Sequence, residues 1–458
     1  MPSLAVLVLA AGQGTRMRSH LPKVLHELAG WPLLQHVLHA VAPLNPERIV
    51  IVVGHKAELV EAALDSADIV WVKQPEQKGT GHAVLCALPA LEGFEGDLLI
   101  LNGDTPLVES ETLRTFIGHH RREERGLSVL SMTMDPPTGY GRVVRDAAGG
   151  LLEVVEEKDA DSRTQKITEV NSGMYCVSTQ HISQWLGQVT NDNAQGEYYL
   201  PDIIPMAVAA GVGAAYHHKD SLSLAGVNNR MQLSRLEKVF RDRKVEQLMA
   251  SGVTFIDPDS CWLAPDVEVG QDTVIFPHVL LGVGVSIGEG CRVGPFCEIS
   301  RSRLGEGSVV RAFCHLDGAT SMGPNEIGPY ARLRVGSHLA PKAKVGNFCE
   351  LKKAIIGEGS KVNHLSYVGD TVMGANVNVG AGTITCNYDG VNKHKTTIGD
   401  GVFIGSGTQL VAPVTLADGV VIGAGSAITK SVAADSLALT RAPQRVVPSW
   451  STHKKKPA

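Results

Sequence analysis

The sequence predicts an α/β protein in two parts: a Rossmann-like domain on a mostly parallel sheet and, after a linking helix, a parallel β-helix. In the first half, apolar strand-like runs alternate with longer amphipathic stretches, as expected for parallel strands joined by covering helices. In the second half, small aliphatic residues return at every sixth position, which is typical of stacked hexapeptide coils. We therefore expect one domain over residues 1–228, a helical linker over 229–251, and a β-helix with a C-terminal tail over 252–458.

The bulk composition excludes several classes of protein. The 458 residues carry a formal net charge of −5, which argues against a general affinity for nucleic acid or acidic membranes. No apolar run approaches the roughly 18 residues of a membrane-spanning helix. The apolar run 4–11 has no basic residue before it, so we interpret it as a strand and not a targeting signal. Eight cysteines without a C-x-x-C pair indicate reduced thiols in a cytoplasmic protein.

Each element follows from its own pattern. Five apolar runs predict strands of the first sheet, at residues 4–10, 49–53, 69–72, 98–101 and 127–132. Residues 229–250 are charged, with apolar side chains at helical spacing, and predict the linking helix. The hexapeptide series runs through Leu263, Val269, Ile275, Leu281, Ile287, Val293 and Ile299, and it resumes after shifts of register at Ile327 and Ile398. Because one such coil cannot bury its own core, the coils must stack.

A candidate phosphate loop follows the first predicted strand. Its sequence is Leu9-Ala10-Ala11-Gly12-Gln13-Gly14-Thr15-Arg16, with Pro22-Lys23 downstream. Ligands of open α/β sheets bind beyond the carboxyl ends of strands, where glycines let backbone N–H groups approach phosphates. G-x-G alone is equally an ordinary tight turn. The longer motif, with Arg16 and Lys23, resembles the nucleoside-triphosphate sugar-1-phosphate nucleotidyltransferases.

A candidate metal site follows the strand at 98–101. The chain continues Asn102-Gly103-Asp104, and a carboxylate beside a phosphate loop is well placed to hold Mg²⁺, which usually takes only one or two protein ligands. Alone, this motif would more often be a turn. The resemblance makes Asp104 a metal ligand and Asn228 the second.

The same resemblance implies a nucleotide and sugar pocket. It assigns Gln74, Gly79 and Thr80 to uracil, and Gly141, Glu156 and Asn171 to the sugar and its N-acetyl group. The reaction would be in-line attack of a sugar phosphate on the α-phosphate of UTP, with Mg²⁺, Arg16 and Lys23 balancing charge as pyrophosphate leaves.

The β-helix carries a second set of motifs. Residues 347–353 and 361–370 are polar stretches, and the loop within 377–390 breaks the six-residue count, as ligand-binding loops of solenoids do. Histidine titrates near neutrality, so His364 is a candidate base for an amine that attacks a thioester, although a single histidine is more often structural. With these neighbours, nearly the whole chain resembles the bacterial family that combines glucosamine-1-phosphate N-acetyltransferase and N-acetylglucosamine-1-phosphate uridyltransferase activities.

This second resemblance implies specific roles and partners. His364 would be the acetyltransfer base, and the amino-sugar phosphate would be held by Arg334, Lys352, Tyr367 and Asn378. Acetyl-CoA would lie against Ala381, Asn387, Tyr388, Ser406, Ala424 and Arg441. Arg334 and Lys352 also make physical sense as a phosphate clamp. The family's β-helix is left-handed and packs as a homotrimer, and the substrates would be glucosamine-1-phosphate, N-acetylglucosamine-1-phosphate, UTP and acetyl-CoA. Gln13 departs from the family, where many members carry a basic residue, and Lys454–Lys456 match a basic tail.

Two other interpretations of the β-helix stay open at this stage. It could be a trimerisation scaffold without chemistry, leaving a single-function uridyltransferase. It could also be a zinc-dependent hydratase with histidine ligands between subunits, but His278, His315, His338 and His364 are too widely spaced in sequence to argue for that site.

Overall fold

The computed structural model describes residues 2–64, 67–448 and 450. The chain divides into two compact units, a first unit of residues 1–240 and a second unit of residues 241–458. The division falls within the helix Arg230–Ala250. The presence of this helix confirms the one predicted over 229–250. Lys454–Lys456, for which the sequence predicts a basic tail, lie outside the described residues.

The first unit is built on a mixed sheet. Among the described residues, its strands lie side by side in the order Gly213–His218, Leu127–Thr133, Glu169–Ser178, Gly96–Asn102, Ser3–Ala10, Arg48–Val53 and Ile69–Lys73, with Arg142–Arg145 beside Glu169–Ser178 and Leu151–Val155 beside Arg142–Arg145. The five predicted strands are confirmed. Pairing is parallel from Gly96–Asn102 through Ile69–Lys73, whereas Glu169–Ser178 runs antiparallel to both of its neighbours.

The central strands are buried on both faces, which explains their nearly unbroken apolar sequence. Successive residues point to opposite faces, so Leu7 and Ile100 belong to one core and Val6 and Leu99 to the other. Helices cover the sheet at Leu33–Val41, Ala57–Ala63, Thr80–Ala87, Ser110–Arg122, Thr179–Leu186 and Ile204–Ala209. Short 3-10 turns lie at Thr15–Met17, Lys23–Leu25, Ala42–Leu44, Leu88–Leu91, Thr164–Lys166, Leu200–Ile203 and Ser221–Leu224.

The second unit is a parallel β-helix. Trp262 pairs with Leu280, and Leu280 pairs with Glu298, so three hexapeptides make one coil. The predicted aliphatic series points inward: Leu263, Ile275, Leu281, Ile287, Val293 and Ile299 are all buried in one continuous core. Asn378 pairs with Phe403 across a longer coil that contains the predicted loop.

The strands of the β-helix form two sheets, which we call sheet one and sheet two. Sheet one contains Thr254–Phe255, Val274–Ile275, Arg292–Val293, Val309–Val310, Glu326–Ile327, Lys344–Asn347, Lys361–His364, Asn378–Val379, Phe403–Ile404, Val421–Ile422 and Leu437–Ala438. Sheet two contains Trp262–Leu263, Glu268–Val269, Leu280–Leu281, Ser286–Ile287, Glu298–Ser300, Arg303–Leu304, His315–Asp317, Ala319–Ser321, Arg332–Leu333, Ser337–Leu339, Glu350–Ile356, Tyr367–Met373, Ile384–Cys386, Thr396–Ile398, Gln409–Val411, Val414–Leu416 and Ala427–Ile428.

All eight cysteines lie in the described part of the chain, and each is a free thiol. No helix in the described ranges is both long enough and apolar enough to cross a membrane.

Candidate functional sites

A cavity of about 680 Å³ opens in the first unit, where the parallel strands Ser3–Ala10 and Gly96–Asn102 end. Most of the predicted nucleotide and sugar residues line it, namely Leu9, Ala10, Ala11, Gly12, Gly14, Lys23, Gln74, Gly79, Thr80, Asn102, Asp104, Gly141, Glu156, Asn171 and Asn228. Gly103 lies behind the wall, donating its N–H to Leu9 O at 3.0 Å. Arg16 is exposed at the rim.

Oxygen ligands and cations converge at one end of this cavity. The Lys23 ammonium contacts the Asp104 carboxylate and also lies 3.3 Å from Asn228 Oδ1. Arg16 Nη2 donates to the same Asn228 oxygen at 2.9 Å. Two oxygens that already converge on one cation fit Mg²⁺, which takes few protein ligands and prefers oxygen. No group of three or more His, Cys, Asp and Glu side chains in the described residues is placed to hold a metal ion.

The phosphate loop is held from two sides. Gly14 has a φ of 63°, and a Cβ there would lie 2.6 Å from Lys23 Cβ, so a side chain would displace the lysine. Gln77 Nε2 donates to Ala11 O at 2.7 Å and ties the loop to the segment that follows the strand Ile69–Lys73. Sequence reasoning assigns Gln77 no role, because nothing in the motif marks a glutamine that reaches back to the loop.

Gln74, Gly79 and Thr80 lie together at a second end of the cavity. Gln74 is buried, and its Nε2 donates to Gly79 O at 3.1 Å. Thr80 Oγ1 accepts the Leu200 N–H at 3.1 Å. Gly79 has a φ of 104°, and a Cβ there would meet Tyr198 O at 2.5 Å. Both the backbone conformation and the close approach therefore require glycine.

Gly141, Glu156 and Asn171 meet at the remaining side. Asn171 N donates to Gly141 O at 2.9 Å, and a Cβ on Gly141 would lie 3.3 Å from Glu156 Oε1. Burial, reinforced by the carboxylates of Asp159 and Asp202, raises the pKa of Glu156. The oxygens of the Glu156 carboxyl group can accept hydrogen bonds from sugar hydroxyls.

Tyr140 is a cavity residue that sequence reasoning misses. Its hydroxyl accepts the Gly226 N–H at 3.3 Å, and burial raises its pKa. It thereby braces the backbone two residues before Asn228. Tyr140 could have been suspected only from its neighbour Gly141, which the sequence assigns to the sugar pocket. A single tyrosine belongs to no recognisable motif.

The second unit has a basic cavity of about 240 Å³, which Arg334 and Lys352 line together. Arg332 and Lys353 also line it. Arg334 Nη1 donates to Glu350 Oε1 at 2.9 Å, and Lys352 Nζ lies 3.8 Å from Asp370 Oδ2. Several cations around one small cavity can bind a phosphate group.

Tyr367 and Asn387 lie near Lys352 around Asp370. Asn387 Nδ2 donates to the Asp370 carboxylate, which also faces Lys352. Tyr367 Oη and Asn387 Nδ2 both lie beside Gly369. A Cβ added to Gly369 would be 2.5 Å from the first atom and 2.9 Å from the second. Asp370 thus connects residues predicted for two different substrates, and sequence reasoning gave it no role. The predicted Tyr388 is exposed on the loop beyond Asn387.

His364 ends a strand of sheet one, and Asn378 lies in the next strand of that sheet. Arg334, Lys352 and Tyr367 belong to or adjoin strands of sheet two. The His364 side chain is exposed, and its Nδ1 lies 2.9 Å from Asn347 Oδ1. A hydrogen bond to the Asn347 oxygen requires the proton on Nδ1, and in the neutral ring Nε2 is then the acceptor.

Ala381, Ser406, Ala424 and Arg441 lie along one corner of the β-helix. Gly407 N donates to Ala381 O at 2.7 Å, and Gly425 N donates to Ser406 O at 2.8 Å, so the first three occupy equivalent positions in successive coils. Arg441 Cδ lies 3.7 Å from where a Cβ on Gly425 would be. The structure therefore brings these four predicted residues into one line.

Comparison with known proteins matches both units to families. Residues 6–170 match the MobA-like NTP transferase domain, and residues 395–430 match the bacterial transferase hexapeptide (six repeats). A putative glucose-1-phosphate thymidylyltransferase from Bacillus anthracis, solved in complex with sucrose, is 18% identical with a TM-score of 0.44 and covers 52% of this chain and 96% of its own. That likeness is too low to carry an argument. The family matches and the two sites define the class: a nucleotidyltransferase domain joined to a hexapeptide-repeat transferase with a left-handed β-helix.

Curated relatives match the chain almost from end to end. The bifunctional protein GlmU of Marinobacter nauticus is 47% identical over 456 residues, covering 99% of this chain and 100% of its own. Those of Pseudomonas putida KT2440 and Stutzerimonas stutzeri are 48% and 49% identical, covering 99% of this chain and 99% and 100% of their own. The chain belongs to the GlmU family and is a bifunctional transferase with uridyltransferase and acetyltransferase activities. This membership favours an active β-helix over a scaffold.

Proposed function

We propose that the first unit transfers a uridylyl group from UTP to N-acetylglucosamine-1-phosphate, and that the second unit makes that acceptor from glucosamine-1-phosphate and acetyl-CoA. The two reactions together yield UDP-N-acetylglucosamine. One observation supports the first reaction most directly. Lys23 contacts both Asp104 and Asn228 beside a glycine-rich loop, in a cavity that also holds Gln74 and Glu156.

In the uridylyl transfer, a phosphate oxygen of the sugar phosphate attacks the α-phosphorus of UTP, and the bond to the β-phosphate oxygen breaks. Arg16 and Lys23 stabilise the charge that moves onto pyrophosphate. Asp104 and Asn228 would hold Mg²⁺, which supplies further positive charge to the phosphate oxygens when bound. Gln74, Gly79 and Thr80 hold uracil, and Gly141, Glu156 and Asn171 orient the sugar, so that the attacking and leaving oxygens are in line.

In the acetyl transfer, the amino nitrogen of glucosamine-1-phosphate attacks the thioester carbonyl carbon, and the carbon–sulfur bond breaks. His364 Nε2 accepts the proton released by that nitrogen and returns it to the departing thiolate. The hydrogen bond from Nδ1 to Asn347 supports this role, because it orients the ring and leaves Nε2 free to accept.

The acetyltransfer substrates would lie along the β-helix. Arg334 and Lys352 clamp the sugar phosphate, with Tyr367 and Asn378 beside the sugar. Acetyl-CoA lies against Ala381, Ser406, Ala424 and Arg441, with Asn387 and Tyr388 near the acetyl end. The basic cavity around Arg334 and Lys352 supports the phosphate assignment.

We infer that the working form is a homotrimer in the cytoplasm. The predicted acetyltransfer residues are divided between sheet one and sheet two. When β-helices of neighbouring copies pack side by side, sheet one of one copy can face sheet two of the next. A site between copies would then bring both sets of residues around one substrate. Free thiols throughout the chain agree with a reducing compartment.

Product analysis tests the whole proposal. The purified chain should convert glucosamine-1-phosphate, acetyl-CoA, UTP and Mg²⁺ into UDP-N-acetylglucosamine, with one thiol and one pyrophosphate released per product. Without acetyl-CoA, supplied N-acetylglucosamine-1-phosphate should restore pyrophosphate release. Formation of product from glucosamine-1-phosphate with no thiol release would contradict the proposed order.

A further inference from the structure

The two ends of the Gln74 amide have different surroundings in the first cavity. Its Nε2 lies 3.1 Å from Gly79 O and 3.0 Å from His82 Nδ1. No hydrogen bond from the described residues reaches its Oε1. Because Gln74 is buried and lines the cavity, this oxygen is the atom of the amide that remains for a ligand.

The carbonyl of Gly79 assigns the orientation of this amide. A backbone carbonyl only accepts hydrogen bonds, so the nitrogen of Gln74 must face it and the oxygen must not. The nitrogen carries two hydrogens. One of them is donated to Gly79 O, and the second is donated to His82 Nδ1, which is therefore an acceptor.

The surroundings of His82 favour the tautomer that this contact requires. His82 lies on the helix Thr80–Ala87, one turn before Cys86. Its Nε2 lies 3.8 Å from Cys86 Sγ. When Nδ1 accepts, the proton of the neutral ring is on Nε2, and a sulfur atom can accept it weakly. Gln74, His82 and Cys86 thus form one hydrogen-bonded series.

Reversal of the Gln74 amide is opposed from two sides. It would place Oε1 against two acceptors, Gly79 O and His82 Nδ1, and both hydrogen bonds would be lost. Without the imidazole, only Gly79 would oppose the reversal. His82 is not among the described residues that line the cavity, so its effect on a ligand passes through Gln74.

We propose that His82 is a positioning residue that keeps Gln74 Oε1 toward the nucleobase and thereby makes the site favour uracil over cytosine. At ring position 3, uracil has an N–H that can donate to Oε1, whereas cytosine has a lone pair that faces the same oxygen. A site built to form a hydrogen bond rejects a ligand that leaves its buried polar atom unpaired. This inference rests on the uridylyl transfer proposed above, and it adds how the base is chosen.

The test compares UTP with CTP as the nucleotide donor, by pyrophosphate release in the presence of N-acetylglucosamine-1-phosphate. His82→Leu removes the acceptor, so the ratio of kcat/KM for UTP to kcat/KM for CTP should fall about tenfold, as expected for one hydrogen bond. His82→Asn places an amide oxygen near the position of Nδ1 and should restore most of the ratio. The KM for N-acetylglucosamine-1-phosphate should be the same in every variant.

The matched control is His181→Leu. His181 is also a half-buried histidine on a helix of the first unit, but its ring stacks on Trp185. This variant should keep the wild-type ratio of UTP to CTP use. His82→Ala also removes the acceptor and serves if His82→Leu folds poorly.

The outcomes separate the role of His82 from the activity on which it rests. If the wild type releases no pyrophosphate from UTP, both the uridylyl transfer and the role of His82 are wrong. If the wild type is active but uses UTP and CTP equally, only the role of His82 is wrong. The same conclusion holds if His82→Leu and His82→Ala keep the wild-type ratio, or if the ratio falls as far in His82→Asn.

Discussion

Replacing Asp104 by asparagine tests the proposed Mg²⁺ and phosphate site of the first cavity, because it removes one charge and almost no volume. The side chains of Asp104 and Lys23 are only 14% and 16% exposed, so water screens their pairing weakly. In the variant, Lys23 would keep Asn228 Oδ1 at 3.3 Å but lose its carboxylate partner. Loss of one preorganised charge at a phosphoryl-transfer site costs about 3–4 kcal/mol, so kcat for uridylyl transfer should fall by roughly 10²–10³-fold.

The assay follows pyrophosphate release from UTP and N-acetylglucosamine-1-phosphate across a Mg²⁺ titration. Asp104→Asn should need more Mg²⁺ for half-maximal rate, because a neutral amide binds the ion less strongly than a carboxylate. Thiol release by the same preparation reports an intact second unit, and Asp192→Asn, at an exposed aspartate, is the matched control. A kcat within twofold of the wild type, at an unchanged Mg²⁺ requirement, would show that Asp104 does not hold the metal ion.

Three other substitutions change contacts of buried or positioning residues. Gly79→Ala should raise the KM for UTP at least tenfold and leave acetyl transfer unchanged, because its Cβ would meet Tyr198 O at 2.5 Å; equal UTP kinetics would contradict this. Asn347→Ala should lower kcat for thiol release about tenfold with little change in either KM, because it removes the hydrogen-bond partner of His364 Nδ1. A change in KM alone would argue against a positioning role for Asn347. Burial alone would raise the pKa of Asp97, but the nearby His120 and the Arg121 guanidinium, which donates to the carboxylate at 2.6 Å, outweigh burial and lower that pKa. Asp97→Asn should therefore cost the first unit about 2–3 kcal/mol in urea unfolding at pH 7. Since the folded-state pKa is the lower one, this difference should shrink as the pH falls below about 4, and a constant difference would refute the assignment.

Much of the fold could be predicted from local pattern. The aliphatic residues at every sixth position point inward as expected, because each coil repeats the same short strands and corners. The strands of the first unit could also be predicted from the sequence, since strands that are buried on both faces consist of apolar runs. The antiparallel direction of Glu169–Ser178 could not be predicted, because the direction of pairing depends on strands that are far away in the chain.

The sites divide in the same way. Residues within a motif, such as Lys23 and Asp104, could be found because the motif ties them to a strand end. Gln77, Tyr140, Asn347 and Asp370 could not be assigned, because their contacts join segments that meet only in the folded chain.

Two separate active sites on one chain should respond independently to substitution. The most direct measurement is thiol release from acetyl-CoA with glucosamine-1-phosphate as acceptor, comparing the wild type with His364→Ala at matched folding and oligomeric state, with pyrophosphate release measured alongside. We expect robust thiol release by the wild type, its collapse in His364→Ala, and equal pyrophosphate release by both. Undiminished thiol release by a correctly folded His364→Ala, or none by the wild type, would contradict it.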